Sequence, residues 1–395
     1  MDNIQKGGLL IKYAGKTEEI FNDFLNNAIK IEYIADGANG IIYKITVPEN
    51  YDSGYTYIDP NNYGEPVREI ALKICILKSS DIDSFKDEVN IQTDIFKKSI
   101  DHLQPLCPAI LFSKILRDKE KKKLINRMLK IDSDIKKHKL PYSDSEIDID
   151  GELLKNKGYL IGVIAMEYEN GYLRLYDFIR SPTISKEMKI KYINYGLFII
   201  IELALETGYS QADFHTANIM IHPKMDYFGK NTGRPLILDF GYSRKISEST
   251  MKKIRDSISK HDYIAALKWI CGVKRSDDST ITKEAWSSYY GWVCRDWDLL
   301  NKGISKSVGK SIIKVGDDME YSVPKNIAYS NKYKLGKLFK LREKFKEQLL
   351  VKFNKLNIES PINYPKLPLS SNIVNQRTYV GLFGGKTRRI KKKEK

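Results

Sequence analysis

Cysteine is scarce and scattered in this 395-residue chain: Cys75, Cys107, Cys271 and Cys294 include no close pair. That spacing excludes a disulfide framework or a zinc knuckle as the organising device, and it points to a reducing, intracellular compartment. Long apolar runs are missing too. The longest, Gly196 to Leu205, is broken by Glu202; a bilayer-spanning helix needs about 20 apolar residues, so no transmembrane segment is expected. The opening residues, MDNIQKGGLLIKYAGK, lack the apolar core of a secretory signal. Histidines number only five, and with no cysteine or third histidine near His215 and His222 a zinc site is not expected. No internal repeat recurs.

What is present suits a folded protein. Hydrophobic residues make up 42% of the chain, enough to offset ordering entropy and exclude wholesale disorder. The length suits two or three folding units of roughly 100 to 200 residues each, or one two-lobed enzyme. Lys and Arg number 66 against 50 Asp and Glu, a net charge of +16. The last ten residues, KTRRIKKKEK, hold seven cations and one carboxylate, six of those sixteen net charges. The abundance of Lys, Ile, Asn and Tyr also matches A/T-rich codons, which accounts for part of the imbalance.

Apolar alternation in IKIEYIADGANGIIYKITV, residues 29–47, predicts a hairpin turning near Gly37 and Gly40. Residues 51–66, rich in Tyr, Asn, Asp, Pro and Gly, read as a loop, and EIALKICIL, from Glu69 to Leu77, as a strand. Lys73 lies at that strand's centre between Leu72 and Ile74, where a lysine asks for a charged partner. Ile82, Phe85, Val89 and Phe96 share a helical face, with Glu88 beside it. The Lys-rich run 114–139 and the acidic SDSEIDIDGE after it are expected to be a solvated insertion. GYLIGVIAMEY, 158–168, resumes the sheet. Ile193, Leu197, Ile200, Ile201 and Ala204 then predict a helix stopped by Gly208. Two short strands follow, in QADFHTANIMIH and RPLILDFGYSR, with polar residues at their ends. Leu338, Leu341, Phe345, Leu349 and Phe353 predict a later amphipathic helix.

Together a Gly-rich hairpin, a strand lysine, a helix glutamate, two loop carboxylates and an asparagine describe a phosphate site. Glycines let backbone NH groups approach phosphate oxygens, lysine supplies a point charge, and carboxylate and amide oxygens suit Mg²⁺. The order and spacing resemble the protein kinase family over roughly residues 31–270. Ala35, Gly37 and Gly40 fall on the glycine positions of its GxGxxG loop, alanine replacing the first, and Ile42 falls on its valine. The resemblance implies that Lys73, in IALKI, holds the α- and β-phosphates with Glu88 as partner. It implies that Met166, Glu167 and Tyr168 are the gatekeeper and hinge that receive adenine. Asp213 and Asn218, in QADFHTAN, reproduce DxxxxN, implying a catalytic carboxylate and a metal ligand; Asp239, in an intact DFG, implies the principal Mg²⁺ ligand.

The chain departs from the pattern in places. Gln211 and Ala212 replace the His and Arg of HRD, removing the anchor for a phosphorylated activation loop. His215 stands two residues after Asp213, an arrangement similar to aminoglycoside phosphotransferases, choline kinases and UbiB-like kinases; it is expected to orient a phosphate or the Asp213 loop. No APE follows DFG, and Asp262 is the candidate for the aspartate of the next helix.

The reading is thus an α+β fold of two lobes, protein-kinase-like, a small β-rich N-lobe and a larger α-helical C-lobe with ATP and Mg²⁺ between them. The expected parts are an N-terminal extension (1–30), an N-lobe (31–170) with insertions at 51–66 and 114–157, and a C-lobe (171–300). A helical extension (301–378) and a basic flexible tail (379–395) follow. The implied activity is a Ser/Thr protein kinase; the alternatives are a small-molecule kinase and a catalytically silent kinase-fold scaffold. The tail offers a surface for nucleic acid or an acidic partner. It also resembles the basic tails common in proteins of large DNA viruses, which would place the chain in host cytoplasm or virion.

Overall fold

The computed structural model describes residues 10–12, 17–37, 40–57, 65–100, 105–142, 145–149, 159–214, 216–223, 234–271, 310–314 and 320–324, with Leu338, Leu341 and Val351. Helix and strand are mixed along them in an α+β fold that contains a five-stranded antiparallel sheet. By internal packing the described residues separate into two units, one drawn from 8–89 and 109–168, the other from 90–108 and 169–362.

The first unit opens with β1 (Leu10–Lys12) and α1 (Thr17–Asn26), then the hairpin of β2 (Lys30–Gly37) and β3 (Gly40–Thr46). Along β3, Ile41, Tyr43 and Ile45 are buried while Ile42 and Lys44 are half-buried, the alternation of a strand with two unlike faces. β4 (Tyr55–Tyr57) pairs antiparallel with β1, so the segment expected as loop contains a strand. The reason is aromatic: Tyr55 and Tyr57 point the same way at period two and are buried. β5 (Glu69–Leu77) is buried on both faces except at its start and at Lys73, which is why it reads as a nearly continuous apolar run.

After β5 come α2 (Ile82–Ile100), β6 (Ile110–Leu116), α3 (Asp118–Ile131), the small hairpin β7 (Lys139–Tyr142) with β8 (Ser145–Asp148), and β9 (Leu160–Glu167). The main sheet has the order β2-β3-β5-β9-β6. On one face Ala71, Cys75, Leu77, Ile110, Ile164 and Met166 form a core cluster with Phe85 and Val89 of α2. Each of those two helix side chains contributes about 2 kcal/mol by leaving water. Phe21 of α1 stacks on Phe112 of β6, ring centroids 4.4 Å apart.

The insertion expected from residue 114 to be solvated is folded and partly buried. Its first residues belong to β6, and in α3 Leu124, Ile125 and Met128 are buried while Lys119, Lys122 and Lys123 face water. Ile135, Leu140 and Ile147 are buried as well. The lysines conceal an amphipathic face, because three or four apolar residues per two turns suffice for one. Lys121 is itself buried and donates to Tyr159 O (3.0 Å). Burial holds its ammonium below the usual lysine range, against the pull of Asp118.

In the second unit β10 (Leu173–Arg174) leads into α4 (Leu175–Arg180) and the 22-residue α5 (Lys186–Thr207). Ser185 caps α5 by accepting from Met188 N, and Gly208 ends it in the left-handed conformation, φ 75°, as its sequence position predicts. Tyr192, Phe198, Ile199, Ile200, Ile201 and Leu203 are buried almost all round, which makes α5 the centre of this unit. Around it lie β11 (Tyr209–Ser210), β12 (Ile219–Ile221), β13 (Leu236–Ile237) and β14 (Arg244–Lys245). They pair as β10-β12-β13 and β11-β14. Helices α6 (Glu248–Ser259) and α7 (Tyr263–Cys271) follow.

Within the extension expected to be helical, β15 (Lys310–Lys314) and β16 (Glu320–Pro324) form an antiparallel hairpin. Leu338 is helical and buried and Leu341 is helical; Phe345, Leu349, Phe353 and the basic tail lie outside the described residues. No helix among the described residues is long and apolar enough to cross a membrane.

Candidate functional site

Lys73 sits in mid-strand, opposite Ile42 on β3 and Ile164 on β9. Strand alternation puts it on the face of Ala71 and Cys75, the face packed against α2. Glu88 follows Phe85 by three residues and precedes Val89, so it projects from the same side of α2. The two meet: Lys73 Nζ lies 2.7 Å from Glu88 Oε1, with side chains only 12% and 13% exposed. The neighbouring Asp87 is exposed, which settles which of the two carboxylates faces the strand. Burial pushes the Cys75 thiol up to about 12 against the pull of Lys73, so Cys75 stays protonated at neutral pH.

Beside Lys73 lies an apolar wall. Met166 is paired in register with Ala71, and Ile42 and Tyr168 pack against the cluster that holds both. Ala71 was not among the sequence candidates, although a small residue two positions before a buried strand lysine was the available signal. Glu167 is buried, and its backbone N donates to Ala109 O at 2.9 Å. Lys44 Nζ stands 4.7 Å above the Tyr168 ring and 2.5 Å from Glu69 Oε1. Burial works against the Lys44 ammonium, but the bond to Glu69 and nearby negative charge win and hold it above the usual range.

Gly37 and Gly40 pair across the hairpin end, and Ala35 pairs with Ile42 just past a bulge. Gly40 has φ 148°, and a Cβ there would lie 2.3 Å from Ile74 O. The backbone of β5 therefore requires glycine at this position for its own reasons.

The remaining candidates belong to the second unit. Asp213 follows Ala212, which is left-handed at φ 61°, and Asp239 is itself left-handed at φ 59°. Asp239 Oδ1 accepts from Gly241 N (3.3 Å), a local bond of the kind that lets aspartate tolerate this region. Asn218 Nδ2 donates to Asp213 O at 3.1 Å, and Leu238 N donates to Asn218 O at 2.8 Å. With its nitrogen so engaged, Asn218 offers a cation its amide oxygen. Among the described residues no three His, Cys, Asp or Glu side chains gather as a self-sufficient metal cage. Mg²⁺ does not need one: it takes one or two carboxylates plus phosphates and water, so the hard oxygens of Asn218 and Asp239 fit it. His215 lies outside the described residues. Asp262 is exposed and caps α7, accepting from Ala265 N at 3.0 Å.

Two further features escaped sequence reasoning. Gln211 bridges the Asp213 and Asp239 turns, its Nε2 lying 2.5 Å from Asp239 O and its Oε1 accepting from Asp213 N. Arg234, only 4% exposed, sets Nη2 3.1 Å from both Glu202 and Glu206 of α5. The triad fastens the start of the segment that leads through β13 to Asp239, and Tyr172 donates to Arg234 O. Its signal was visible as Glu202, a carboxylate interrupting an apolar helix four residues before another.

No protein-family model matches the chain, and a search of curated proteins returns no match.

Proposed function

We propose that the chain is a two-lobed, protein-kinase-like phosphotransferase that uses ATP and Mg²⁺ and transfers the γ-phosphoryl group to a Ser or Thr hydroxyl of a protein. The observation that carries this reading is the Lys73–Glu88 pair. It joins a lysine on the third strand of the main sheet to a glutamate on the following helix, the pairing on which phosphoryl transfer in protein kinases depends. Glu88 holds the ammonium where it can meet the α- and β-phosphates. Ile42, Ala71, Met166 and Tyr168 give adenine an apolar wall. Asn218 and Asp239 supply oxygen ligands, and bound Mg²⁺ neutralises charge on the phosphate oxygens. Asp213 orients the acceptor hydroxyl and takes its proton late in the transfer.

Purified protein given labelled ATP and a mixed protein substrate is expected to transfer label, and Asp213→Asn to lower the rate about 10³-fold. Equal labelling by the variant overturns the assignment. One observation favours a second reading: α6 begins at Glu248, nine residues after Asp239, leaving little chain on which to dock a peptide. A small-molecule acceptor needs no such platform. Consumption of ATP with small alcohols or sugars, but not with protein, would select that reading.

A further inference from the structure

Two turns carry the carboxylates of the proposed site, and each contains a non-glycine residue in the left-handed region, Ala212 at φ 61° and Asp239 at φ 59°. Alanine does not hold that conformation unaided. Between the turns lies Gln211, whose side chain is fully buried. Its Nε2 donates to Asp239 O (2.5 Å) and to Leu238 O (3.1 Å), and its Oε1 accepts from Asp213 N (2.9 Å). Its own carbonyl accepts from Ser243 Oγ (3.2 Å), beyond the far side of the Asp239 turn. One amide thus ties the backbone on both sides of the two strained residues.

We propose that Gln211 is a positioning residue, a buried latch that fixes the Asp213 turn and the Asp239 turn in one register. The proposal rests on reading Asp213 as proton acceptor and Asp239 as metal ligand. The chemistry of the bridge is specific. It requires a donor and an acceptor on one short planar group, because it must give to carbonyls on one turn and receive from an amide on the other. Glutamate keeps the acceptor but loses both donated bonds; methionine keeps the length and loses all three. Neutral histidine retains one donor and one acceptor. An apolar side chain here would leave two carbonyls and one NH of the turns to find other partners, at the cost of an unmade bond for each buried group.

The test uses the full chain and compares Gln211→Met, Gln211→Glu and Gln211→His. Amide hydrogen exchange is measured without nucleotide on segments 211–218 and 238–243, with α5 as the internal reference. In Gln211→Met, and in Gln211→Glu should the former fail to fold, both segments are expected to exchange about tenfold faster together while α5 is unchanged. Gln211→His is expected to recover most of the protection. In the transfer assay Gln211→Met should raise the Mg²⁺ needed for half-maximal rate about tenfold, with a smaller change in KM for the acceptor. Unchanged exchange in both segments, a response in only one, or uniform acceleration across the chain overturns the latch. Wild-type protein that shows neither transfer nor Mg·ATP binding while the exchange responds as stated overturns the phosphotransferase reading and supports the latch.

Discussion

The Lys73–Glu88 pair stands on a strand and a helix, whereas Asp213, Asn218 and Asp239 stand on turns. In the first place regular geometry does the positioning: a two-residue repeat turns Lys73 toward α2, a helical repeat turns Glu88 toward β5, and apolar neighbours exclude water. In the second, no repeat exists. Position comes from hydrogen bonds between segments remote in sequence, through Gln211 and Arg234, and from two residues held left-handed. Groups on regular elements are coupled to folding, because removing one also exposes a flaw in the core. Groups on braced turns are less tightly coupled to folding, because Asp213 and Asp239 are only half-buried and the bracing by Gln211 reaches their backbone, not their carboxylates.

That contrast is open to attack by substitution. If the proposed function holds, Asp239→Ala should lower phosphoryl transfer about 10³-fold and abolish the stabilisation of about 3 kcal/mol expected from saturating Mg·ATP. Its stability without nucleotide should fall by about 2 kcal/mol, the bond from Gly241 N together with the cost of alanine at φ 59°. Initial rates and urea unfolding with and without Mg·ATP measure both. Glu88→Ala should behave in the opposite way. It leaves the Lys73 ammonium in a largely buried setting without its carboxylate, and unfolding free energy should drop by about 3 kcal/mol before nucleotide is added. If Asp239→Ala destabilises the free protein as strongly as Glu88→Ala does, the distinction between the two places is wrong.

Legibility in the sequence follows the same division. β2, β3, β5, α2 and α5 could be read because their apolar residues recur at the strand or helix period, and Gly208 stopped its helix as expected. β6 and α3 were hidden by lysines, since a charge run signals solvent even when Leu124, Ile125 and Met128 lie between the charges at helical spacing. β1 and β4 were missed because their pairing joins residues 10–12 to 55–57 with no local turn to mark it. Among the candidate site residues, Asp213, Asn218 and Asp239 stood out by their spacing, but what braces them did not. Gln211 looks like a loss when compared with HRD, and only its bonds to Leu238, Asp239 and Asp213 reveal what the amide does. Hydrogen bonds across 27 and 28 residues leave no periodic trace.

Two glycines sharpen the comparison at smaller scale, since one belongs to the regular hairpin and the other to the approach to the braced turns. Gly40→Ala meets two penalties, φ 148° and a Cβ set 2.3 Å from Ile74 O. The obstructing atom is backbone in the middle of the sheet, so relief requires β3 and β5 to part, and stability should fall by about 2 kcal/mol. Gly208→Ala meets only one, for at φ 75° its Cβ would find nothing within 4 Å. The cost is then the left-handed conformation alone, about 1 kcal/mol, and Gly208→Asn should cost less because asparagine visits that region more readily. Urea midpoints read at unchanged m-value separate the two. A Gly208→Ala loss as large as that of Gly40→Ala would mean that the chain leaving α5 is strained beyond its torsion angle, and the bracing would then extend back from Gln211 into the helix end itself.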